Sequence, residues 1–468
     1  MNADIKNLEQ LILSIPKLKV RPPSTDPKGD IIAPKTSKGF TGIGANRVER
    51  FEERRELTKA FERIVAFNPN ADVLYPGSLI QGESLEDGSL NPISLGDQNK
   101  RGPYRIIVSD LNIDQKDARY SEVVKDGSFA SYKAALESIL AQNLDKDQPA
   151  KISYNMQSIQ SIESAFLKLG ASYKWANGKV DGSFSISDDS KKNKFMVRVI
   201  QTYFNVACEI PSSPVAFFGE YPKYETLKNY MGEGNPPTYI SSVNFGRELW
   251  MIVETLHDSN DFEIIFNAAM RAGLARGQVN LEAGKEKTLN ESSIQVLSIG
   301  GPSIATIKLL TGNPIEELSE YLKGGANFGP NSPGVMISYS ARYLKDDDVA
   351  RVSSFSDYTL ATEGEQNPFL KRMLSGETFH ITLSSEDYPI VDGDLGRYGT
   401  YSVTYDRSTR YWTAVGIAKS VGHDVTATYN NGDIDANILS LWSQRMYFDE
   451  DGKLYTTDKS RFNGYLRL

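Results

Sequence analysis

Residues 162–187 carry two secondary-structure codes at once, and that double code limits what the chain can fold into more than any other feature. Read with a helical period, Ile162, Phe166, Leu169 and Tyr173 form an apolar stripe. Read with period two, Leu167, Leu169, Ala171, Tyr173 and Trp175 alternate with Lys168, Gly170, Ser172, Lys174 and Ala176. Past Asn177-Gly178 the alternation resumes, with Val180, Gly182, Phe184 and Ile186 set against Asp181, Ser183, Ser185 and Ser187. Asn-Gly between two alternating runs is a strong hairpin signal. One such hairpin, alone, reads as an ordinary half-buried hairpin of a soluble sheet.

The code recurs. Phe262, Ile264, Phe266, Ala268, Met270 and Ala272 alternate with Glu263, Ile265, Asn267, Ala269, Arg271 and Gly273, and past Gly277 come Val279, Leu281 and Ala283. Phe262, Ile265, Phe266 and Ala269 also share a helix face behind Asn260-Asp261, a plausible N-cap. A transmembrane β-strand needs about 9–11 residues with one apolar and one polar face. Each segment offers two strands of that size, the last being the weakest.

Composition narrows the function. A net charge of -8 and a pI near 5.3 argue against nucleic acid and against simple polybasic attraction to anionic lipid. Abundant Ser, Thr, Asn and Gly with 24 Tyr suggest a β-rich secreted type of protein. The single cysteine, Cys208, excludes an internal disulfide framework and a cysteine-based metal cluster. No run approaches the roughly 18–20 apolar residues of a transmembrane helix. The start, Met-Asn-Ala-Asp-Ile-Lys, has no h-region behind it, so the chain is either cytosolic or numbered from beyond an export signal. His257, His380 and His423 are scattered, and Gly39–Gly44 lacks dinucleotide spacing. Asp449-Glu450-Asp451-Gly452 lacks the calcium-loop glutamate, and Asp433 and Asp435 fall short of a ligand set. No nucleophile–base pair stands out, so the expectation is no catalytic residue, no metal, no cofactor and no enzyme.

Residues 4–15 predict a short amphipathic helix, and 17–46 an extended, mobile tether whose Lys17, Lys19 and Arg21 are open to proteases. Residues 47–67 are ambiguous between helix and long strand. Residues 131–143 and 314–323 predict helices; 104–109, 151–154, 195–210, 239–254 and 292–299 predict strands. The two ambiguous segments fall between consecutive members of the last four strands. From about residue 379, short strands separated by Asp-Gly and Asn-Gly turns predict a separate β-sandwich.

Between the two segments, Asn235-Pro-Pro-Thr-Tyr-Ile-Ser-Ser-Val-Asn-Phe-Gly-Arg247, continuing to Val253-Glu254-Thr255, closely resembles the strand motif of the cholesterol-dependent (thiol-activated) cytolysins. Tyr75-Pro-Gly-Ser-Leu79, Lys168-Leu-Gly170, Pro214 to Gly219, Gly300-Gly301 and Leu322 to Lys345 match in the family's order. The resemblance covers roughly residues 47–357. It implies an α+β, elongated multidomain fold: a bent antiparallel sheet flanked by helical clusters (MACPF/cytolysin-like) and a C-terminal β-sandwich. The corresponding domain plan is 1–46, helix and tether; 66–155, 202–246 and 326–349, scaffold; 156–201 and 247–325, pore-forming domain. Residues 47–65 and 350–366 would be an elongated connector, and 367–468 a C-terminal β-domain that binds membrane or receptor.

In that family both segments refold on a membrane into two transmembrane hairpins per subunit, and many subunits close one barrel. The matching positions are about 162–190 and 260–290. The implied lipid face is Leu167, Leu169, Ala171, Tyr173, Trp175, Val180, Phe184 and Ile186 in the first hairpin, and Phe262, Ile264, Phe266, Ala268, Met270, Val279 and Leu281 in the second. Lys168, Lys174, Asp181, Glu263 and Arg271 would face the lumen, with Tyr173 and Trp175 at the far interface. Gly300 and Gly301 match the family's hinge, and Tyr154 an aromatic that stacks across subunits, with Ile294 at its partner position. Met156 and Gly312 stand where the family has a charged pair. The family's tryptophan-rich, cysteine-containing loop is absent, Trp412 and Trp442 being isolated, so cholesterol recognition does not carry over. The implied function is a secreted pore-forming toxin, a soluble monomer that becomes an oligomeric membrane pore. Its partners are a target-cell membrane, further copies of itself and, as an option, a related second subunit. The rival is a non-lytic, adhesin-like surface binder on the same scaffold; an enzyme with an unrecognised site is the weaker third.

Overall fold

The computed structural model describes residues 3–41, 48–68, 72–94, 101–113, 119–142, 144, 148–176, 184, 186, 192–219, 223–256, 262–264, 266–268, 292–300, 308–309, 320–329 and 332–366, together with eight strands between 379 and 467. The chain divides into two compact units, residues 1–30 with 55–358, and residues 31–54 with 359–468.

In the first unit the amphipathic start forms α1 (Ala3–Ser14), which buries Leu8 and Ile12 completely. The stretch after it is laid down rather than loose. Lys17 pairs with Asp346 at 2.7 Å and with Asp348, and the Leu18 N–H donates to the Tyr343 hydroxyl. The Arg21 N–H donates to Ser353 Oγ while its guanidinium lies 3.9 Å from the Phe355 ring centre. From residue 31 to 54 the chain belongs to the second unit: the expected tether becomes β1 (Asp30–Thr41), and the ambiguous stretch after it becomes β2 (Val48–Phe61), whose last residues belong to the first. With β13 (Val352–Gln366) these form a three-stranded sheet in the order β1-β2-β13. Pro34 is tolerated because β1 is an edge strand, where a missing N–H breaks no central ladder.

The central sheet has ten strands. They are β3 (Ile64–Val65), β4 (Leu79–Gln81), β5 (Tyr104–Ser109), β6 (Ser121–Val124), β7 (Lys151–Ser158), β8 (Asn193–Cys208), β9 (Pro237–Thr255), β10 (Ser293–Ile299), β11 (Lys308–Leu309) and β12 (Val335–Tyr343). The main path runs β11-β10-β9-β8-β5-β6, with β7 on β8, β4 and β12 on β9, and β3 on β12. All pairs in register are antiparallel, notably β7–β8, β8–β9 and β9–β10. β5 alternates buried and exposed residues, whereas β9 is buried along almost its whole length, as a strand covered on both faces must be.

One core joins α1 to α2 (Phe129–Leu140), which is capped by Ser128 and contributes Tyr132, Leu136 and Ile139. A second lies on one face of β7–β10 around Val197, Met251 and Ile294. Cys208 is buried at the end of β8, and burial pushes its thiol up to about 12.

The second unit contains β14 (Phe379–Ser384), β15 (Gly399–Asp406), β16 (Tyr411–Lys419), β17 (Thr426–Tyr429), β18 (Ile438–Leu441), β19 (Gln444–Phe448), β20 (Lys453–Thr456) and β21 (Asn463–Arg467). They pair in the order β17-β16-β15-β14-β21-β20-β19-β18. His380 lies in β14 and Trp412 in β16. His257, His423, Trp442 and the Asp-Gly and Asn-Gly turns at 392–393, 431–432 and 451–452 lie outside the described residues.

Candidate functional site

The two doubly coded segments sit between neighbouring antiparallel strands, the first joining β7 to β8 and the second joining β9 to β10. They pack on opposite faces of the sheet.

In the first segment the helical code is the one in use. Ser161 accepts from the Ser164 N–H while Ser164 Oγ accepts from the Ser161 N–H, a capping box that starts α3 (Ile162–Lys168). Gly170, at φ +82°, ends it: the Gly170 N–H reaches the Leu167 carbonyl and the Ala171 N–H the Phe166 carbonyl. That is a Schellman motif, which needs a residue at ease in the left-handed region. A single 3₁₀ turn, Tyr173–Ala176, follows. Phe166, Leu167, Leu169, Ala171, Trp175 and Phe184 are buried, and Tyr173 and Ile186 are half-buried. Val180 lies outside the described residues. Phe166 stacks on Trp250 of β9 with ring centres 4.7 Å apart, and Trp175 meets Phe61 edge-on at 5.0 Å.

A buried ion pair anchors this segment. Arg198 of β8 donates to both oxygens of Glu248 on β9, at 2.7 and 3.3 Å, and its other amine donates to the carbonyls of Leu169 and Gly170. The Trp250 indole N–H donates to the same carboxylate at 3.0 Å, and the guanidinium lies 4.8 Å from the Trp250 ring. The sheet therefore grips the freed carbonyls at the C-terminus of α3. Sequence reasoning overlooked this anchor. The available signal was a lone arginine inside the apolar run Phe-Met-Val-Arg-Val-Ile of β8.

In the second segment residues 262–264 and 266–268 are helical. Phe262 and Phe266 are buried on the opposite sheet face, where Phe262 stacks on Phe195 of β8 at 5.7 Å; Ile264 is 54% exposed and Ala268 half-buried. Met270, Val279 and Leu281 lie outside the described residues. Tyr154, on β7, meets Phe266 edge-on and donates to Asn267 Oδ1 at 2.5 Å. Ile294 is buried, and Met156 packs against the same cluster. Gly312 lies outside the described residues.

The two edges of the β7–β10 sheet differ. Among the described strands β7 pairs with β8 alone, so no described strand covers its other edge. The outer edge of β10 is covered by β11 through Gln295↔Leu309 and Val296↔Lys308. Gly300 stands between β10 and β11 at φ +77°, where an added Cβ would lie 2.9 Å from Val335 Cγ2 and 3.1 Å from the Gly246 carbonyl oxygen. Gly301 lies outside the described residues. Among the described residues no group of three or more His, Cys, Asp or Glu side chains is placed to hold a metal.

The sequence model of the thiol-activated cytolysins matches residues 43–365. Seeligeriolysin of Listeria seeligeri is 28% identical over 333 residues, which are 69% of this chain and 61% of that protein. Listeriolysin O of Listeria monocytogenes is 25% identical over 319 residues, 66% of this chain and 58% of its own length. The chain thus aligns with less than two thirds of these relatives. The crystal structure of the human-specific toxin intermedilysin superposes with a TM-score of 0.62 at 21% identity, covering 91% of this chain and 86% of that one. That of listeriolysin O gives 0.62 at 17% identity, covering 99% and 90%. These two likenesses show the fold. With more than half its length matched by the family, on a sheet of the family's architecture, the chain is a member of the thiol-activated cytolysins, a family of pore-forming proteins and not of enzymes.

Proposed function

We propose that this protein is a secreted cytolysin that binds a target membrane, assembles into a ring, and refolds its two doubly coded segments into two β-hairpins per subunit of a large barrel. The observation that carries the reading is strand register. Continued outward from Ser158↔Phe195, one residue per step on each strand, the β7–β8 register sets Leu167 opposite Ile186, Leu169 opposite Phe184 and Tyr173 opposite Val180. Continued from Ser293↔Glu254, the β9–β10 register sets Ile264 opposite Ala283, Phe266 opposite Leu281 and Ala268 opposite Val279. The β8–β9 register, continued from Asn193↔Thr255, sets Ile186 opposite Phe262 and Phe184 opposite Ile264.

All three continuations bring apolar residues onto one face. Because strand side chains alternate, a slip of one residue anywhere would have split that face. The turns suit hairpins too. A four-residue loop, 175–178, takes in Asn177-Gly178, and a two-residue loop at Gly273-Leu274 places glycine first, as a type II′ turn requires.

Edge chemistry explains why insertion would wait for assembly. A lone hairpin in lipid leaves edge N–H and C=O groups unsatisfied at several kcal/mol each. The other edge of β7 would receive the β10 edge of a second copy once β11 swings aside at Gly300-Gly301. With no tryptophan-rich loop in the sequence, the C-terminal β-domain would bind membrane or receptor without requiring cholesterol. The comparisons lend no support to a second, related subunit.

The test is liposome dye release with electron microscopy for rings, with and without cholesterol. In a Cys208→Ser background, Leu169→Cys with Phe184→Cys should form a disulfide in the membrane-bound state, whereas Leu169→Cys with Ser183→Cys, on opposite faces, should not. Leu169→Lys should cost about 2–4 kcal/mol of insertion free energy if it reaches the bilayer midplane, whereas lumen-facing Lys174→Leu should cost little. Neither rings nor leakage under any lipid composition would refute the proposal.

A further inference from the structure

A cavity of about 80 Å³ has, among the described residues, Val65, Phe67, Leu74 and Leu90 in its wall, with Tyr339 of β12 and Trp175 of the 3₁₀ turn in the first segment. Trp175 is 3% exposed and Tyr339 2%. Yet among the described residues neither the indole N–H nor the phenol hydroxyl has a hydrogen-bond partner. A buried donor left unpaired is costly, and native interiors rarely leave one. Here two belong to the wall of one cavity. The loop that completes the wall comes close to the turn: an added Cβ on Gly88, at φ +74°, would stand 3.4 Å from Trp175 Cδ1, the carbon bonded to the indole nitrogen. Leu90 in the same loop holds φ +55°, a strained setting for a bulky residue and of the kind that recurs at ligand clamps.

The wall chemistry selects the occupant. An indole N–H can only donate, so the occupant must accept. Burial first, and then the Asp87 carboxylate, push the Tyr339 hydroxyl up, so it too remains a protonated donor. That carboxylate disfavours an anion, and no lysine or arginine among the described residues lines the cavity to attract one. The volume is about half the roughly 150 Å³ of a cavity that takes benzene. We infer that this cavity binds a small uncharged molecule with an apolar body and a hydrogen-bond acceptor, such as an amide, ketone or sulfoxide, and that its occupant holds the first segment in its helical form. The hold follows from who owns the wall. Trp175 belongs to the segment, whereas Val65 and Tyr339 belong to the central sheet, so a molecule that accepts from both donors binds only while the turn is in place. In the strand form Trp175 moves to the hairpin loop, so an occupant opposes insertion. That consequence rests on the pore-forming reading; the site does not.

Dimethyl sulfoxide, with an acceptor oxygen and two methyl groups, is the probe. The full chain labelled with 5-fluorotryptophan carries four fluorine signals, from Trp175, Trp250, Trp412 and Trp442, and Trp175→Phe identifies the first. Titration should move the Trp175 signal along a saturating curve and leave the other three on a common linear drift. Tyr339→Phe keeps the ring and removes an unpartnered hydroxyl, so folding is preserved, and it should weaken binding about two- to tenfold, the worth of one net hydrogen bond. A linear drift shared by all four signals means that the cavity takes water only and overturns the site; so does saturation that Tyr339→Phe leaves unchanged. At a tenfold excess over Kd, hydrogen exchange of residues 173–176 should slow about tenfold while residues 129–140 are unchanged. Equal rates with and without the probe at 173–176 overturn the hold on the segment. The probe should also slow liposome dye release by the parent more than by Tyr339→Phe; equal slowing overturns the opposition to insertion. If the parent releases no dye under any lipid composition, the pore-forming reading fails, and the fluorine titration still decides the site.

Discussion

Replacing Arg198 by methionine tests how the first segment is held down. The side chain is buried beside Glu248, itself only 1% exposed, and the two share a pair of hydrogen bonds. Removing one partner of a buried ion pair costs about 3–5 kcal/mol, because the other charge stays behind without compensation. Here, among the described residues, the Glu248 carboxylate would keep the Trp250 indole N–H alone, and the Leu169 and Gly170 carbonyls would lose the Arg198 donor. These losses overlap, so 3–5 kcal/mol is taken for the whole. A chain this large with two units does not unfold in one step, so a global midpoint would blur the effect. Hydrogen exchange of residues 162–176 reads it locally. At about 1.4 kcal/mol per decade, protection should fall by roughly two to three and a half decades, up to the fully exposed limit. The double variant Arg198→Met, Glu248→Leu leaves no stranded charge and should recover a large part of the loss. A single variant within about 1 kcal/mol of the parent, or strictly additive single and double variants, would refute the anchor.

Three further outcomes are expected. Gly300→Ala forces a side chain into the left-handed region and against Val335 and the Gly246 carbonyl, so it should destabilise the β10 end by about 1–2 kcal/mol or more, read as faster exchange of residues 293–299. Cys208, with its thiol held up at about 12, should react with a thiol reagent at pH 8 far more slowly in the native protein than in urea. Asp126 is held down at about 2 by hydrogen bonds from Ser131 and Ser128. A depressed carboxyl stabilises the fold above its unfolded value near 3.8, and that contribution is lost as pH falls from there through about 2; Asp126→Asn should flatten acid unfolding in that window.

Much of this was legible in the sequence because it is local. The apolar stripe from Ile162 to Tyr173, the helical stripe of α2 and the alternating runs depend on residues a few positions apart. The N-terminal stretch misled. Residues 30–41 have no apolar alternation and contain Pro34, and they form a strand because β2 offers a free edge. Likewise Lys17 and Arg21, read as part of a loose tether, are fixed by Asp346, Ser353 and Phe355, more than three hundred residues away.

The sequence by itself determined that residues 162–187 and 262–284 suit either a helix or a hairpin, since periods of 3.6 and 2 can share the same apolar positions. Only the tertiary structure decided which is in use. Phe166 finds Trp250, Phe262 finds Phe195, and Arg198 meets Glu248 across fifty positions, so burial and ion pairing hold the described residues of both segments helical. The strand registers were equally beyond reach, because they arise from pairing between distant segments. Their outward continuation is what gives the second code of these segments a physical meaning.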